Sequence, residues 1–342
     1  MSFKVVMMAN PAMLIEEVPE RIRVAGAELD LHTACSGEDE LVSMCRDADC
    51  VVTHQGFYPF SPGVLQELPN CRFLMTLSIG YDALDVKAAT EQGIGIVNLQ
   101  GFCVEELAEH AMALILGCAR WIVILHNRVK SGLALPPPVG KSGINLSTLK
   151  GKTLGLVGFG NAARAMVPKG KGFEMRLVAY DPYVEDSVFD EFGVDKVSLD
   201  KLAEESDYIS VHASLCDETH HLIGLDQFKK MKRSAFIVNT ARGPIIDEKA
   251  LCIAIDKGYI AGAGLDVTDP EPVPTDSPLL KYENIIVTGH RAGSSCEADI
   301  VWATRPVEEL SRIMRGEWPI GLVNPEVKEI FTTKWGAMNE PE

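Results

Sequence analysis

The run Thr153-Leu-Gly-Leu-Val157 leads directly into Gly158-Phe-Gly160-Asn161-Ala162-Ala163 and then into the helix-forming Arg164-Ala-Met-Val167, a G-x-G-x-x-A turn between strand and helix. Such a turn is built for a pyrophosphate. Its first glycine allows the tight bend, its second lets the phosphate approach the backbone, and the small third residue lets the helix lie close to the strand with its N-terminal amides facing the anion. Twenty-three residues beyond Gly158, the run Leu177-Val-Ala-Tyr180 ends in Asp181, an acid placed to accept from adenosine ribose hydroxyls and to repel a 2′-phosphate. The order strand, loop, helix, strand, acid argues for NAD over NADP. The ordinary alternative is that the glycines only shape a turn and Asp181 caps the Asp181-Pro182 step.

Three further polar residues have the types that hydride transfer to a carbonyl needs. Negative charge builds on the oxygen, so a proton donor and a fixed cation must meet there. His290, in Val287-Thr-Gly-His290, can change protonation near neutrality. Glu271, between two prolines, could favour the imidazolium and orient its ring. Arg242, after Val238-Asn-Thr240-Ala241, supplies a permanent charge and a planar fork suited to a carboxylate. Singly, each has an ordinary reading: a surface ion-pair arginine, a solvated loop charge, a turn histidine. Together they follow successive predicted strands, at the ends where α/β sheets bind ligands, and this favours the catalytic reading. His54 is a further candidate, whereas His110, His212, His220 and His221 read as structural or exposed.

These residues need a scaffold of alternating strands and helices. Phe3 to Met8, Cys50 to Thr53 and Phe73 to Leu77 read as β-rich runs, with amphipathic stretches around Ile15 to Val24 and Val64 to Leu68 between them. A second series, Thr153 to Val157, Arg176 to Tyr180, Tyr208 to His212, Ala235 to Asn239, Ala261 to Val267 and Asn284 to Val287, predicts a six-stranded doubly wound sheet. Glu105 to Arg120 is apolar on nearly every face after its first turn and reads as an interdomain helix. Pro136-Pro137-Pro138-Val-Gly140 reads as a loop. The fifty or so residues after His290, with a helical Ala303 to Arg315, are too few for a third domain and are expected to pack back on the first.

With 342 residues, 46% of them hydrophobic, two domains are the better expectation. Lys and Arg total 32 against 48 Asp and Glu, a net charge of −16, and that field argues against nucleic-acid or membrane-surface partners. The opening residues are too brief for a secretory signal and no apolar run is long enough for a bilayer span. Nine scattered cysteines without C-x-x-C spacing fit reduced thiols in a cytoplasmic protein with no metal site.

The motifs Val238-Asn-Thr-Ala-Arg242-Gly, Leu265-Asp266-Val-Thr-Asp-Pro-Glu271-Pro and Val287-Thr-Gly-His290-Arg-Ala-Gly-Ser resemble those of the D-2-hydroxyacid dehydrogenase family. Ser78-Ile79-Gly80-Tyr-Asp82, Ala88-Ala89 through Gly93-Ile94, and Val104-Glu-Glu-Leu-Ala-Glu109-His110 extend the resemblance over nearly the whole chain, in the family's order. It implies an α/β protein of two βαβ domains: a flavodoxin-like substrate-binding domain over 1–102, with 292–342 returning to it, and an inserted Rossmann NAD-binding domain over 103–291. The active cleft would lie between them. The implied reaction interconverts a small 2-keto acid and its D-2-hydroxy acid, with NAD as cofactor. Arg242 would bind the substrate carboxylate and keto oxygen, His290 would be the general acid/base, and Glu271 its partner. Backbone amides of Ile79 and Gly80 would meet the substrate carboxylate. Asn161, Ala162, Ala213, Ser214, Thr240 and Ala241 would line the cofactor site, and Asp266 would hold the nicotinamide carboxamide. A homodimer built through the cofactor domain is also implied.

Several positions depart from the family pattern. Asn98-Leu-Gln100 replaces Asn-x-Pro and His212-Ala-Ser214-Leu215 replaces His-x-Pro-Leu, both expected to be cofactor-side loop changes. The Thr53-to-Tyr58 loop lacks the arginine of relatives that handle phosphorylated substrates, and neither 3-phosphoglycerate nor a regulatory C-terminal domain is expected. Cys103-Val-Glu-Glu and Asp181-Pro-Tyr183 look closest to the C-terminal-binding-protein branch, but Gly293 stands where an aromatic is usual, which is expected to open the pocket. A nucleotide-sensing corepressor-like binding protein is therefore one alternative. A phosphite- or formate-type dehydrogenase is another, although Glu271 stands where the formate enzymes carry Gln.

Overall fold

Two separate parallel sheets carry the chain in the computed structural model, which describes residues 2–54, 56–133 and 146–341. The expected Pro136 to Gly140 loop lies outside those residues. The chain divides into two compact units, Met1–Phe102 with Ser295–Glu342, and Cys103–Ser294. The second crossing thus falls at 294/295, where the sequence placed it at 291/292.

In the first unit, β1 (Lys4–Met8), β2 (Glu28–His32), β3 (Cys50–Thr53), β4 (Phe73–Thr76) and β5 (Gly95–Val97) run parallel in the order β2-β1-β3-β4-β5. This is the flavodoxin-like winding. The central strands β1, β3 and β4 are apolar almost throughout because both of their faces are covered. On one face Val6, Met8, Val51 and Leu74 pack with Leu41, Leu65 and Leu68. On the other, Val5, Met7, Phe73 and Met75 pack with Ala303, Leu310 and Ile313 of the Cys296–Met314 helix and with Trp318 and Phe331 beyond it. The C-terminal residues therefore complete the first unit's core.

In the second unit, β6 (Thr153–Val157), β7 (Arg176–Tyr180), β8 (Asp195–Lys196), β9 (Tyr208–Val211), β10 (Phe236–Asn239), β11 (Gly262–Leu265) and β12 (Ile285–Val287) form a parallel sheet in the order β12-β11-β10-β9-β6-β7-β8. The order reverses between β6 and β9, the point where doubly wound sheets bind ligands beyond their carboxyl ends. Seven strands stand where six were expected, because β8 is a two-residue edge strand of exposed charges. The Val104–Arg120 helix buries Ala108, Ala111, Leu114, Ile115 and Cys118 in its own unit's core with Leu154, Leu156, Met166 and Val238. Two glycines let it lie close to the sheet: a Cβ on Gly264 would stand 3.0 Å from Leu114 Cβ, and one on Gly117 would stand 3.0 Å from Ile286 Cδ1. No single helix among the described residues is long and apolar enough to cross a membrane.

Candidate active site

Each strand of the second sheet except edge strand β8 delivers a candidate residue at its carboxyl end. After β6, Gly158 adopts φ +85°, and a Cβ there would stand 2.7 Å from Ala213 N and 2.8 Å from Ala213 Cα, so the turn tolerates only glycine. A Cβ on Gly160 would meet nothing within 4 Å, which leaves open space over the N-terminus of the Asn161–Gly172 helix. Ala163 is fully buried beneath the turn. After β7, Asp181 accepts from Phe159 N at 2.8 Å through one carboxylate oxygen and from Tyr183 N at 2.9 Å through the other. It therefore caps its own turn and also pins the glycine loop; each oxygen keeps a lone pair free. Ala213 and Ser214 follow β9, where Ala213 borders Gly158. Thr240, after β10, is buried with its hydroxyl oxygen unpartnered among the described residues. An orphaned hydroxyl and an unobstructed amide cradle fit a bound dinucleotide.

Arg242, Glu271 and His290 meet in one cluster. Asn239, fully buried, shapes the first loop: its Nδ2 donates to Arg242 O at 2.8 Å and its Oδ1 accepts from Ala241 N at 3.0 Å. Arg242 Nη1 donates to Ala241 O at 2.8 Å. The next residue, Gly243, lies so close to the following loop that a Cβ would fall 2.1 Å from Thr268 O. Thr268 N in turn donates to Glu271 Oε1 at 3.1 Å, and Glu271 Oε2 meets His290 Nδ1 at 2.8 Å. Partial burial would raise the Glu271 carboxyl pKa, but the hydrogen bond and charge of His290, the Thr268 amide and the Arg242 charge hold it below its ordinary value. With Nδ1 bonded to Glu271, His290 keeps Nε2 for a reacting group, and its side chain is 52% exposed.

The other candidates lie elsewhere or face differently. Asp266 is 1% exposed, and its carboxylate accepts from the backbone amides of Arg291 and Ala292, both at 2.8 Å. In the first unit, the carbonyls of Ile79 and Gly80 are anchored by Asn98 Nδ2 and Ser78 Oγ, each at 2.6 Å. The Asn98-to-Gln100 departure belongs to this unit. His54 is buried, its Nδ1 accepts from Asn10 N at 3.1 Å, and desolvation pushes its pKa down to about 4. His212 bonds Ser210 Oγ at 2.8 Å, whereas His220 and His221 lie side by side and exposed. The space beside Gly293 is filled, not open: a Cβ there would stand 2.8 Å from Cys103 Sγ. No local motif signals this pairing, or the bond between His110 Nε2 and Thr288 Oγ1 at 2.9 Å.

Similarity to known proteins defines the class. Residues 112–292 match the family model for the NAD-binding domain of D-isomer specific 2-hydroxyacid dehydrogenases. A glyoxylate reductase from Korarchaeum cryptofilum is 39% identical over 307 residues, covering 89% of this chain and 91% of that one. A D-3-phosphoglycerate dehydrogenase from Methanocaldococcus jannaschii is 36% identical over 87% of this chain but only 55% of its own length. The solved structure of a glyoxylate reductase from Paecilomyes thermophila superposes with a TM-score of 0.83 at 26% identity, covering 95% of this chain and 99% of that one. The chain belongs to the D-isomer specific 2-hydroxyacid dehydrogenase family. It is an NAD-dependent oxidoreductase that interconverts a 2-keto acid and its D-2-hydroxy acid, and the corepressor-like and phosphite- or formate-type alternatives are not favoured.

The Cys103 contact makes Gly293 a packing requirement. Gly293→Ala should destabilise the protein by about 1–3 kcal/mol through overpacking, and adding Cys103→Ala should restore most of that loss. Urea denaturation of the single and double variants measures both effects; equal losses with and without the thiol would refute the contact.

Proposed function

We propose that this enzyme reduces glyoxylate, or an unphosphorylated 2-keto acid of similar size, using NADH in preference to NADPH. The observation that carries the reading is the 2.8 Å bond between Glu271 Oε2 and His290 Nδ1, in a cluster whose Arg242 loop is seated on Thr268. When bound, reduced nicotinamide supplies the hydride for the keto carbon. His290 Nε2 donates the proton to the carbonyl oxygen, while Glu271, bonded to Nδ1, orients the ring. Arg242 holds the substrate carboxylate and stabilises the charge developing on oxygen. Ile79 and Gly80 are assigned to the same carboxylate through their backbone amides. Gly158, Gly160, Asn161, Ala162, Ala163, Ala213, Ser214, Thr240 and Ala241 are assigned to the dinucleotide, with Asp181 at its adenosine ribose. Glyoxylate as substrate is supported by the relatives that carry its name, and the domain roles by the winding of each sheet.

The enzyme is further proposed to be a cytoplasmic homodimer. All nine cysteines are free thiols, as a reducing compartment maintains them. After the Val104–Arg120 helix, Ile122, Val123, Val129 and Leu133 form an exposed apolar surface on the second unit, suited to an isologous contact.

Three outcomes follow. Glu271→Gln, which removes the carboxylate that fixes the His290 ring at Nδ1, should lower kcat roughly tenfold or more while leaving NADH affinity nearly unchanged. His290→Ala should lower kcat roughly 10²- to 10⁴-fold, and a fully active variant would remove the histidine from the mechanism. Second, kcat/KM should be higher with NADH than with NADPH, and Asp181→Ala should narrow the gap mainly by weakening NADH; equal use of both cofactors by the native enzyme would end the role given to Asp181. Third, light scattering should give about twice 37.3 kDa at micromolar concentration, and a mass equal to one chain would exclude the dimer.

A further inference from the structure

His290 holds its ring from a left-handed backbone, φ +57°, directly after Gly289 at φ +67°. That conformation is disfavoured for a residue with a side chain, so its neighbours must impose it. The restraint comes from Asp266. Its carbonyl accepts from His290 N at 2.5 Å, its Oδ1 from Arg291 N and its Oδ2 from Ala292 N, so three successive amides close on one residue. Oδ1 also accepts from Thr288 Oγ1 at 2.6 Å. The Thr288 hydroxyl has a single hydrogen and spends it there, so at 2.9 Å its oxygen accepts from His110, whose Nε2 carries the proton. The close approach of the Val104–Arg120 helix at Gly264 and Gly117 is what brings His110 to the end of β12.

We infer that His110 and Thr288 are positioning residues that act through Asp266 to hold the 289–292 backbone and thereby aim His290 for proton transfer. This rests on the acid/base role proposed for His290. Neither residue need touch substrate or cofactor. The chain of donors runs from His110 to Thr288 to the Asp266 carboxylate, which already accepts three protein bonds and is 1% exposed. A carboxylate so engaged serves the loop, and Oδ2, with one donor, keeps acceptor capacity for the carboxamide contact that the family resemblance implies for Asp266.

Thr288→Val keeps the side-chain volume and removes the hydroxyl, and a Thr288→Ser variant restores it. The Val variant should lose roughly ten- to hundredfold in kcat from misalignment, with the NADH Kd, read by fluorescence quenching, within about twofold of native. The Ser variant should recover most of the rate, and His110→Gln, which keeps a donor, should outperform His110→Leu. The decisive comparison is the double variant: in a His290→Ala background, Thr288→Val should cost little further rate, because it acts only through the missing ring. Native kcat in Thr288→Val, equal losses in Val and Ser, full additivity with His290→Ala, or a loss confined to NADH affinity would each overturn the inference. A fully active His290→Ala single variant would instead defeat the acid/base reading itself, so the two failures are distinguishable.

Discussion

A buried carboxylate without donors costs several kcal/mol, and that constraint organises the end of the second sheet around Asp266. The chain satisfies it by curling residues 288–292 back so that a hydroxyl and two amides converge on its oxygens. The left-handed step at Gly289 and His290 is the geometric result of that convergence. Glu271 reaches the same histidine from the other side, and Gly243 brings the Arg242 loop against the Glu271 loop by the absence of a side chain. All three are anchored at the carboxyl ends of neighbouring strands β10, β11 and β12.

Electrostatics at this site oppose the molecule's overall character. The chain carries a net charge of −16, yet its substrate and the phosphates of its cofactor are anions. The fixed positive groups at this end of the second sheet are the Arg242 guanidinium and the amides at the start of the Asn161–Gly172 helix. The depressed pKa of Glu271 reports the same local balance, because burial acting alone would have raised it.

Legibility in the sequence followed the range of the interaction. The glycine turn and Asp181 were readable because all the determinants lie within about two dozen residues, and Arg242, Glu271 and His290 because each sits in a local motif after a strand. Strand β2 (Glu-Leu-Asp-Leu-His) escaped notice because it lies at a sheet edge and none of its residues is fully buried, so it shows no continuous apolar run. Strands β5 and β8, three and two residues long, carry too little pattern to register. The pairing of Cys103 with Gly293 was illegible for a different reason. A missing aromatic reads as a hole in one dimension, and only the fold supplies the thiol that fills it. His110 likewise looked structural while its partner, Thr288, lay 178 residues away.

The discontinuity of the first unit also sets a timetable for biosynthesis. Its five strands lie within Met1–Phe102, but Ala303, Leu310, Ile313, Trp318 and Phe331, which cover Val5, Met7, Phe73 and Met75, are translated only after the whole of Cys103–Ser294. At ribosomal speeds of roughly 5–20 residues per second, the nascent sheet waits on the order of tens of seconds with one apolar face bare. The second unit, continuous in sequence, can close first. The first can be completed only once the C-terminus has emerged, and until then its exposed valine, methionine and phenylalanine side chains offer a ready ligand to molecular chaperones.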